Sequence, residues 1–532
     1  MAFATTHSVA LTGATGHVID VQADVSAGMV GTTLVGRADT SLNEGRDRVR
    51  MAVINSHFEW PATRRITVLL SPADLRKSGS HYDLAVAVSI LTAAGSLPAS
   101  AIEGTAFIGE LTLDGGLRSV SGVLPMALAA ARRGIHRVVV PEPQAREAAM
   151  VPGMVVLGMR SLAQVVAELR GEEVPEAPPV PPPSEGRFLA WRGSRRLEDV
   201  DMSDLLGMHD ARYALEVAAA GGHHLHLSGP KGCGKTSLAE RLPGLLPDLA
   251  AEEAIELTAI RSLAGLLDPE AGLVVRPPFS APHHDATRSS LVGGGSGRVR
   301  PGAISLAHGG VLFLDEFPLF RADVIEALRE PLENGDITVA RGEEAVTLPA
   351  RSTVVLASNP CLCGNYHPSA ALDACSCTPQ QRRDYQRKVS GPITDRLDIV
   401  RHLTPLKPGH QDRLSPPETS ATVRERVAAA RERQAERYSG SGWRLNGQAP
   451  GAALRDRWPL TDEGQHLVDE RVLAGRLTRR GAVRVHRLAW TVADLAGIGR
   501  PGAAETSTAL RLRSGEALDL DAIDARLERR AG

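Results

Sequence analysis

The chain contains 532 residues, of which 43% are hydrophobic and 23% are charged, and its formal net charge is −2 at pH 7. This length is too great for one hydrophobic core and predicts about three domains, while the composition is typical of a soluble globular protein. The nearly neutral charge excludes a global attraction to nucleic acid, so any such contact has to come from local basic patches.

The sequence carries no pattern for membrane insertion or export. No stretch approaches the ~20 consecutive apolar residues of a membrane-spanning helix. The first residues lack a basic segment followed by an apolar one, so we expect no signal peptide. Four of the five cysteines lie close together in the sequence. This usage is typical of a reduced protein, and we therefore expect a cytoplasmic location.

Residues 1–170 alternate strand-like and helix-like stretches, which predicts a compact α/β domain. The predicted strands are 9–11, 16–24, 66–70 and 136–141, and the predicted helices are 82–94 and 123–133. Residues 171–190 are predicted to form a stiff, extended linker, because six prolines occur in residues 171–186. The first domain boundary is therefore expected at this segment.

A phosphate-binding loop is predicted early in the second domain, residues 191–405. Residues 229–236 read Gly-Pro-Lys-Gly-Cys-Gly-Lys-Thr and match the pattern G-x-x-x-x-G-K-[ST] between a predicted strand and a predicted helix. Backbone N–H groups and the helix N-terminus would surround the phosphates of ATP. Lys235 would bridge these phosphates, and the Thr236 hydroxyl would bind Mg²⁺. The residues predicted to contact the nucleotide are Gly229, Pro230, Lys231, Gly232, Cys233, Gly234, Lys235, Thr236 and Ser237.

An acidic pair follows a strongly apolar run. Residues 311–316 read Val-Leu-Phe-Leu-Asp-Glu, which predicts a strand buried on both faces with two carboxylates at its C-terminal end. Asp315 would hold the hydrated Mg²⁺, and Glu316 would orient or deprotonate the attacking water. The pattern is common by itself, but after a complete phosphate loop it indicates nucleotide hydrolysis.

Three further features are predicted around the next strand, 352–359. The strand ends at Asn359, whose amide would bond the γ-phosphate or the attacking water; the alternative is an ordinary turn residue. Residues 336–349 predict a β-hairpin, which either projects into a ring pore or is a plain structural element. Residues 273–301 predict a long glycine-rich loop, and such loops are usually functional.

The cysteines Cys361, Cys363, Cys375 and Cys377 define a cysteine loop, residues 361–377. Four thiolates are the right number for a closed tetrahedral zinc site. The C-x-C spacing is tighter than the commoner C-x₂-C, so the alternatives are structural zinc and four reduced cysteines in an ordered loop. The fifth cysteine, Cys233, is interpreted as a small residue tolerated in the phosphate loop.

The last third of the chain contributes arginines. Arg396, in the sequence Asp-Arg-Leu-Asp, could reach the γ-phosphate of a neighbouring subunit, or it could be a salt-bridged surface residue. Residues 406–532 are predicted to be almost wholly helical, over 422–438, 463–477, 480–496 and 518–529. Six arginines and no acids occur between residues 471 and 487. They would contact nucleotide or DNA phosphates, or they form a solvated basic helix.

Together these motifs resemble the Walker A, Walker B, sensor 1 and arginine-finger motifs of an AAA+ ATPase, at 229–236, 312–316, Asn359 and Arg396. Residues 281–284, 291–295 and 390–396 resemble its magnesium-chelatase-like branch. Residues 478–484 resemble the C-terminal domain of that branch, which implies sensor 2 at Arg484. Residues 76–84 and 109–117 look like the Lon-protease-type domain that precedes the ATPase in the YifB/ComM family.

The resemblance covers about residues 8–500 and implies the fold class. It implies an AAA+ P-loop core with a parallel sheet, a Lon-like N-terminal α/β domain and a C-terminal helical lid domain, 406–532. A Lon protease needs a Ser–Lys pair, whereas this sequence offers Ser80 and Arg118, so we expect no proteolysis. Ala303 and Trp490 depart from the usual Glu and Arg of the family and leave details of the insert and lid open.

The same resemblance implies a homo-hexameric motor that is driven by ATP with Mg²⁺ and has no membrane partner. ComM relatives move DNA branch points during natural transformation, so single-stranded or branched DNA is the implied partner. The alternative is a metal-insertion or protein-remodelling motor like magnesium chelatase itself. That alternative is disfavoured because chelatase motor subunits lack the Lon-like domain and the cysteine loop.

Overall fold

The computed structural model describes most of the chain, namely residues 3–36, 40–73, 75, 77, 79–181, 200–268, 272–294, 299–341, 344–366, 375–389, 393–404 and 418–519. Within these ranges a mixed sheet, a parallel sheet and a group of helices follow one another along the chain. Part of the predicted linker (182–190) and most of the predicted last helix (from 520 onwards) lie outside the described residues.

The N-terminal part of the chain is built on one mixed sheet. Its strands are β1 (Phe3–Thr12), β2 (Thr15–Ser26), β3 (Gly31–Val35), β4 (Arg65–Ser71), β5 (Thr105–Phe107), β6 (Glu110–Leu111), β7 (Leu117–Arg118), β8 (Arg137–Pro141) and β9 (Val155–Met159). Seven of them form the sheet in the order β3-β4-β2-β1-β5-β8-β9, and β6 pairs with β7. In β2 the residues Ile19, Val21 and Ala23 are fully buried and alternate with partly exposed ones. This alternation places one face of the strand in the core.

Helices cover the sheet, as the sequence predicts. They are α1 (Thr40–Asn55), α2 (Asp83–Ala93), α3 (Ala99–Ile102), α4 (Val123–Arg132), α5 (Ala145–Ala148) and α6 (Leu162–Arg170). All eleven residues of α2 are buried, which is typical of a helix that is apolar on every side. The described linker residues 171–181 contain no helix or strand and lie against this domain, where Gln164 Nε2 donates to the carbonyl of Pro175 (2.8 Å) and Val180 is buried.

The parallel sheet predicted for the second domain is confirmed. The strands of this part are β10 (Leu225–Ser228), β11 (Phe279–Ser280), β12 (Gly293–Gly294), β13 (Arg300–Pro301), β14 (Val311–Leu314), β15 (Asp336–Arg341), β16 (Glu344–Pro349), β17 (Thr353–Ser358) and β18 (Ile399–His402). Five of them pair in parallel in the order β11-β14-β17-β10-β18. Every residue of β14 and β17 is buried, because helices cover both faces of the sheet. The carboxyl ends of all five strands therefore lie on one edge.

Helices and a hairpin connect these strands. The helices are α7 (His209–Gly221), α8 (Lys235–Leu245), α9 (Ala251–Leu263), α10 (Arg288–Val292), α11 (Ala303–Leu306), α12 (Ala322–Ala327), α13 (Arg329–Asn334) and α14 (Pro379–Val389). The predicted hairpin is confirmed, since β15 and β16 pair in antiparallel register. The predicted long loop 273–301 is wrong in part, because α10 and the paired strands β12 and β13 occupy much of it. Thr287 caps α10 by accepting from the backbone N–H of Ser290 (3.2 Å).

The C-terminal part is helical, as predicted. Its helices are α15 (Ser420–Arg437), α16 (Gly451–Arg457), α17 (Asp462–Leu473), α18 (Arg479–Ala496) and α19 (Ala503–Ser514). Three match the predicted helices to within a few residues, whereas α16 and α19 were not predicted. Their apolar side chains share one core with the parallel sheet, in which Val427 and Leu488 join Leu225 and Val355. No helix among the described residues is long and apolar enough to cross a membrane.

The N-terminal domain and the second domain meet at a buried junction between their helices. Glu147 in α5 accepts hydrogen bonds from the hydroxyl of Ser262 in α9 and from the backbone N–H of Leu124 in α4 (2.8 Å). Burial raises the pKa of Glu147 above its ordinary value, although these bonds act in the opposite direction. A second contact lies at the β1–β2 turn, where a Cβ atom on Gly13 would lie 2.2 Å from Cγ1 of Val346. The N-terminal domain is therefore packed directly on the second one.

Candidate nucleotide site

The loop between β10 and α8 has the conformation that a phosphate cradle needs. Gly232 and Gly234 have φ angles of 74° and 88°, in the left-handed region that favours glycine. At Gly229 a Cβ atom would lie 2.6 Å from the carbonyl oxygen of Leu403, so only glycine fits there. Lys235 begins α8, and its Nζ donates to the carbonyl oxygens of Gly229 (2.7 Å) and Pro230 (2.9 Å). The lysine amine thus lies inside the curve of its own loop.

The other loop residues form the wall of this cradle. Cys233 is 5% exposed, and burial raises the pKa of its thiol above the ordinary value. Its sulfur lies 3.8 Å from Nζ of Lys235. Lys231 is exposed, and its stem lies on the backbone of Gly364 in the cysteine loop, where a Cβ atom would be 2.8 Å from Cγ of Lys231. The thiol of Cys233 is therefore a packing group in its neutral form.

The acidic pair and the predicted amide meet the loop at the carboxyl edge of the sheet. Thr236 Oγ1 donates to Asp315 Oδ2 (3.0 Å), and Lys235 Nζ donates to Asn359 Oδ1 (3.0 Å). Asn359 Nδ2 in turn donates to Glu316 Oε1 (3.2 Å), and the backbone N–H of Glu316 donates to Asp315 Oδ1 (2.8 Å). Five residues that follow three neighbouring strands thus form one connected network, in which the backbone N–H of Glu316 is one of the links.

Glu316 has an unusual backbone. Its φ and ψ angles are 48° and 40°, the left-handed conformation that costs a residue other than glycine about 1 kcal/mol. Such strain occurs mainly at functional sites, where the surrounding contacts hold it in place. Here it turns the chain sharply after Asp315 and leaves the carboxylate of Glu316 half-buried beside Asn359.

The oxygen atoms at this edge suit a divalent cation. The Thr236 hydroxyl and the Asp315 carboxylate are hydrogen-bonded to each other, so both oxygens already point to one place. Mg²⁺ is bound in proteins through one or two carboxylates together with phosphate oxygens and water. The residues present therefore fit Mg²⁺ bound with a nucleotide phosphate.

The two predicted arginines lie elsewhere. Asp398 precedes β18 and accepts from the backbone N–H of His224 (3.0 Å), at the amino end of β10. Arg484 Nη1 donates to Asp398 Oδ1 (2.7 Å), and Arg396 Nη2 lies 2.6 Å from Glu333 Oε1. The four residues of β10 span about 13 Å between this edge and the phosphate loop. The structure therefore does not bring Arg396 or Arg484 to the phosphate loop of their own chain.

Asp398 is a buried anion at this opposite edge. Burial favours its neutral form, but the neighbouring His223 imidazole and Arg484 guanidinium outweigh this effect and hold its pKa well below the usual range. The Nε atom of Arg484 is buried and has no hydrogen-bond partner among the described residues. Pairing of a histidine before β10 with a carboxylate before β18 leaves no local sequence pattern, so the sequence could not have indicated it.

The four predicted cysteine ligands come together. The sulfur of Cys361 lies 3.3 Å from that of Cys363 and 3.6 Å from that of Cys375, and the latter two are 3.5 Å apart. The backbone N–H of Cys363 donates to the sulfur of Cys377 (3.3 Å). Ligand atoms of all four residues lie within 4.8 Å of one another. Residues 367–374 of this loop lie outside the described residues.

The helix that follows the cysteine loop contacts the nucleotide site through a residue that the sequence did not indicate. Tyr385, a buried residue of α14, accepts from the backbone N–H of Asn359 through its hydroxyl (3.3 Å). The signal that could have indicated this contact is the presence of one aromatic residue within the otherwise polar helix α14.

In the N-terminal domain, Ser80 and Lys77 have separate partners. Ser80 donates to the carboxylate of Glu110, and the buried Lys77 donates to the carbonyl of Pro72. Neither bond joins a serine to a lysine. The expectation that this domain does not cleave peptides stays a prediction.

The sheet order, the phosphate loop after β10, the acidic pair after β14 and the amide after β17 define an AAA+ P-loop fold. Family models agree with this class over three segments: magnesium chelatase, subunit ChlI, at 201–410; subunit ChlI of Mg-chelatase at 21–144; and the ChlI C-terminal domain at 417–513.

Relatives of nearly full length narrow the class further. The chain is 44% identical over 513 residues to an uncharacterized protein of Mycobacterium tuberculosis (96% of this chain, 99% of the relative). It is 39% identical over 496 residues to the uncharacterized protein YifB of Escherichia coli (93% and 94%) and 38% identical over 501 residues to the competence protein ComM of Haemophilus influenzae (93% and 94%). The chain belongs to the YifB/ComM family of magnesium-chelatase-like AAA+ ATPases.

Proposed function

We propose that this chain hydrolyses ATP at the carboxyl edge of its parallel sheet and uses the energy to move DNA branch points. The observation that carries the hydrolytic part is the network that links Lys235, Asn359 and Glu316. A cation, an amide and a carboxylate contact one another in this network, and this supports a γ-phosphate position beside them. These are the groups that phosphoryl transfer to water requires.

Each residue has a role that follows from its present contacts. Lys235 exchanges the carbonyl oxygens of Gly229 and Pro230 for phosphate oxygens, which carry full negative charge and bind an ammonium more strongly. Thr236 and Asp315 would hold Mg²⁺, which would neutralise part of the phosphate charge when bound with ATP.

Glu316 is the residue that acts on the attacking water. Its Oε1 accepts from Asn359 Nδ2, so the amide fixes the direction in which the carboxylate points. Glu316 accepts a hydrogen bond from the water, aligns it with the γ-phosphorus and takes its proton as the new oxygen–phosphorus bond forms. The bond between the γ-phosphorus and the bridging oxygen breaks at the same time, and ADP leaves with that electron pair. The Asn359 amide carries no charge and can turn its N–H toward a phosphate oxygen when nucleotide is bound.

The arginine placement is the reason to propose a ring. Arg396 lies at the sheet edge opposite its own phosphate loop, paired with Glu333 at the end of α13. A guanidinium at that edge is useful for hydrolysis only at the phosphate site of an adjacent subunit, where it would offset the charge of the transition state. We therefore propose a homo-hexamer with ATP sites between subunits. We further propose that Arg484 contacts the nucleotide when the helical lid domain closes, either in its own subunit or in the adjacent one.

The DNA part of the proposal is supported by family and by local charge. The relative from H. influenzae is named a competence protein, and the chain covers 94% of its length. In α14 the side chains of Arg383, Arg387 and Lys388 are exposed, and Asp384 is the acid among them. Such a patch binds phosphate backbones with little sequence preference and with strong dependence on salt. We also propose a cytoplasmic location, which is supported by the five cysteines, none of which is in a disulfide.

The proposal includes a structural zinc ion in the cysteine loop. Four thiols that cluster without forming a disulfide fit a closed tetrahedral site, in which the ion has no open position for catalysis.

Steady-state ATP turnover and displacement of a labelled strand from fork and four-way DNA test the proposal. Lys235→Ala should abolish nucleotide binding. Glu316→Gln should keep it and lower turnover by about 10²–10⁴-fold, because it removes a general base but no phosphate contact. The exposed Glu425→Gln, on α15, is the matched control and should behave like the parent protein.

The proposed action on DNA is tested separately, by the effect of DNA on ATP turnover. Branched or single-stranded DNA should raise ATP turnover, and the effect should fall steeply with salt. Turnover that responds only to a porphyrin-metal chelatase partner would replace DNA with metal insertion as the proposed role. Ordinary strand displacement by Glu316→Gln would refute the assignment of the site.

A further inference from the structure

The sulfur atoms of the cysteine loop are spaced like the ligands of one metal ion. Distances of 3.3, 3.5 and 3.6 Å between three of the sulfurs are far above the ~2.05 Å of a disulfide bond. Four sulfurs at ~2.3 Å from a tetrahedral Zn²⁺ lie about 3.8 Å from one another. The observed sulfur–sulfur distances are therefore slightly shorter than those of a zinc tetrathiolate, and the sulfurs surround a common centre.

The same loop begins at the nucleotide site. Cys361 is fully buried and follows Asn359 by two residues. Asn359 holds both Lys235 and Glu316 through its side chain, and its own backbone N–H donates to Tyr385 on α14. Because α14 starts two residues after Cys377, the metal site would join both of the segments that fix Asn359.

The loop also touches the phosphate cradle. Gly364 follows Cys363 directly and has a φ angle of 83°, so the backbone turns there without a side chain. The stem of Lys231 lies on this turn, close enough that a Cβ atom on Gly364 would be 2.8 Å from its Cγ. One small loop thus contacts the phosphate loop at Lys231 and begins just after Asn359, which follows β17.

We infer that Zn²⁺ bound by Cys361, Cys363, Cys375 and Cys377 is a positioning element for ATP hydrolysis, which keeps Asn359 in contact with Lys235 and Glu316. Without the ion, four thiols would separate, and the loop would no longer hold the end of β17 or α14. The inference rests on the proposed ATP hydrolysis for its catalytic consequence. Loss of zinc should lower the rate of hydrolysis more than the affinity for nucleotide, because Asn359 acts on the water-orienting glutamate.

The test compares three variants of the full-length chain. Cys377→Ser removes one ligand, Cys377→His replaces it with another zinc ligand, and Ser376→Ala is the matched control at an exposed position between two ligands. Zinc is measured by a colorimetric chelator after denaturation, nucleotide affinity with a fluorescent ATP analogue, and turnover by phosphate release.

We expect one zinc per chain in the parent protein and in Ser376→Ala. Cys377→Ser should lose zinc and about 10–100-fold in kcat, with a much smaller change in nucleotide affinity. Cys377→His should recover most of both. Removal of zinc from the parent with a chelator and its restoration should reproduce the loss and the recovery. A parent protein without zinc, or a zinc-free protein with full turnover, would overturn the inference.

Amide hydrogen exchange separates failure of the inference from failure of the proposed function. Exchange in the peptide 353–361 should accelerate when zinc is removed, whatever the protein does with ATP. If exchange accelerates on removal of zinc but neither the zinc-bound nor the zinc-free protein turns over ATP, the positioning role is supported and the proposed hydrolysis is refuted. Unchanged exchange on removal of zinc would refute the positioning role even if turnover is normal.

Discussion

His226 should make the ATPase sheet sensitive to mild acid. It lies in β10, directly before the phosphate loop, and is 5% exposed. Its Nε2 lies 2.9 Å from the hydroxyl of Ser358 on β17, and its ring meets Phe317 edge-on at 5.6 Å. Burial lowers the pKa of His226 to about 4, and the nearby His402 on β18 acts in the same direction. The imidazole is thus neutral in the folded protein at neutral pH.

The sign and size of the effect follow from proton linkage. An unfolded histidine has a pKa of about 6.5, so between pH 6.5 and 4 the unfolded chain binds a proton that the folded chain does not. The free energy of unfolding therefore falls as the pH falls through this window. From pH 7 to pH 5 the loss from His226 is about 2 kcal/mol, a sizeable part of the ~5–15 kcal/mol that stabilises a typical domain.

A second histidine adds to the effect. The pKa of His224 is also lowered to about 4, mainly by burial. Its Nδ1 accepts from the backbone N–H of Val354 (3.1 Å), a bond that only the unprotonated nitrogen can make. Both residues flank the start of the strand that carries the phosphate loop, so acid should weaken nucleotide binding as well as stability.

Urea unfolding at pH 7 and pH 5 tests this reasoning. Trp443, Trp458 and Trp490 lie in or against the core shared by the sheet and the C-terminal helices, and their fluorescence reports its unfolding. His226→Gln should lose about 2 kcal/mol less than the parent protein between the two pH values. The exposed His466→Gln is the control. An acid-induced loss in His226→Gln as large as that of the parent would refute the argument.

Two further predictions concern charged pairs. Arg396→Ala should keep nucleotide affinity and lose about 10³-fold or more in turnover, and mixing it with Lys235→Ala subunits should restore part of the activity, since each supplies what the other lacks. Phosphate release from the mixture measures this, and full turnover by Arg396→Ala alone would exclude the finger role. Asp494→Ala should destabilise the helical part by about 3 kcal/mol, because it strands the largely buried guanidinium of Arg437. Thermal unfolding measures this, and a midpoint unchanged from the parent would show that the pair contributes nothing.

Much of the site could be predicted from the sequence because its signals are local. The loop 229–236 needs specific residues at fixed spacing, and the run before Asp315 must be apolar to lie inside a parallel sheet. Once both are recognised, strand order brings Asn359 beside them. The hairpin 336–349 was equally accessible, since alternation and a turn are enough to specify it.

What the sequence could not show depends on contacts between distant segments. The pairing of Arg484 with Asp398 sets the arginine at the far edge of the sheet, and nothing within either segment indicates it. The left-handed backbone of Glu316 results from the network around it and not from its residue type. The helix α19 was missed because its buried face contains Thr506 and Thr508, which weaken the apolar periodicity that identifies helices.

The bond between Glu147 and Ser262 affects how the chain would behave if it were made in two pieces. Separation of the halves would expose the apolar surface around this carboxylate and break its bonds to Ser262 and its neighbours. Two fragments divided within residues 182–199 should therefore purify together without a covalent connection. The covalent connection would then ensure that the two halves are made in equal amounts, while contacts between their side chains keep them associated.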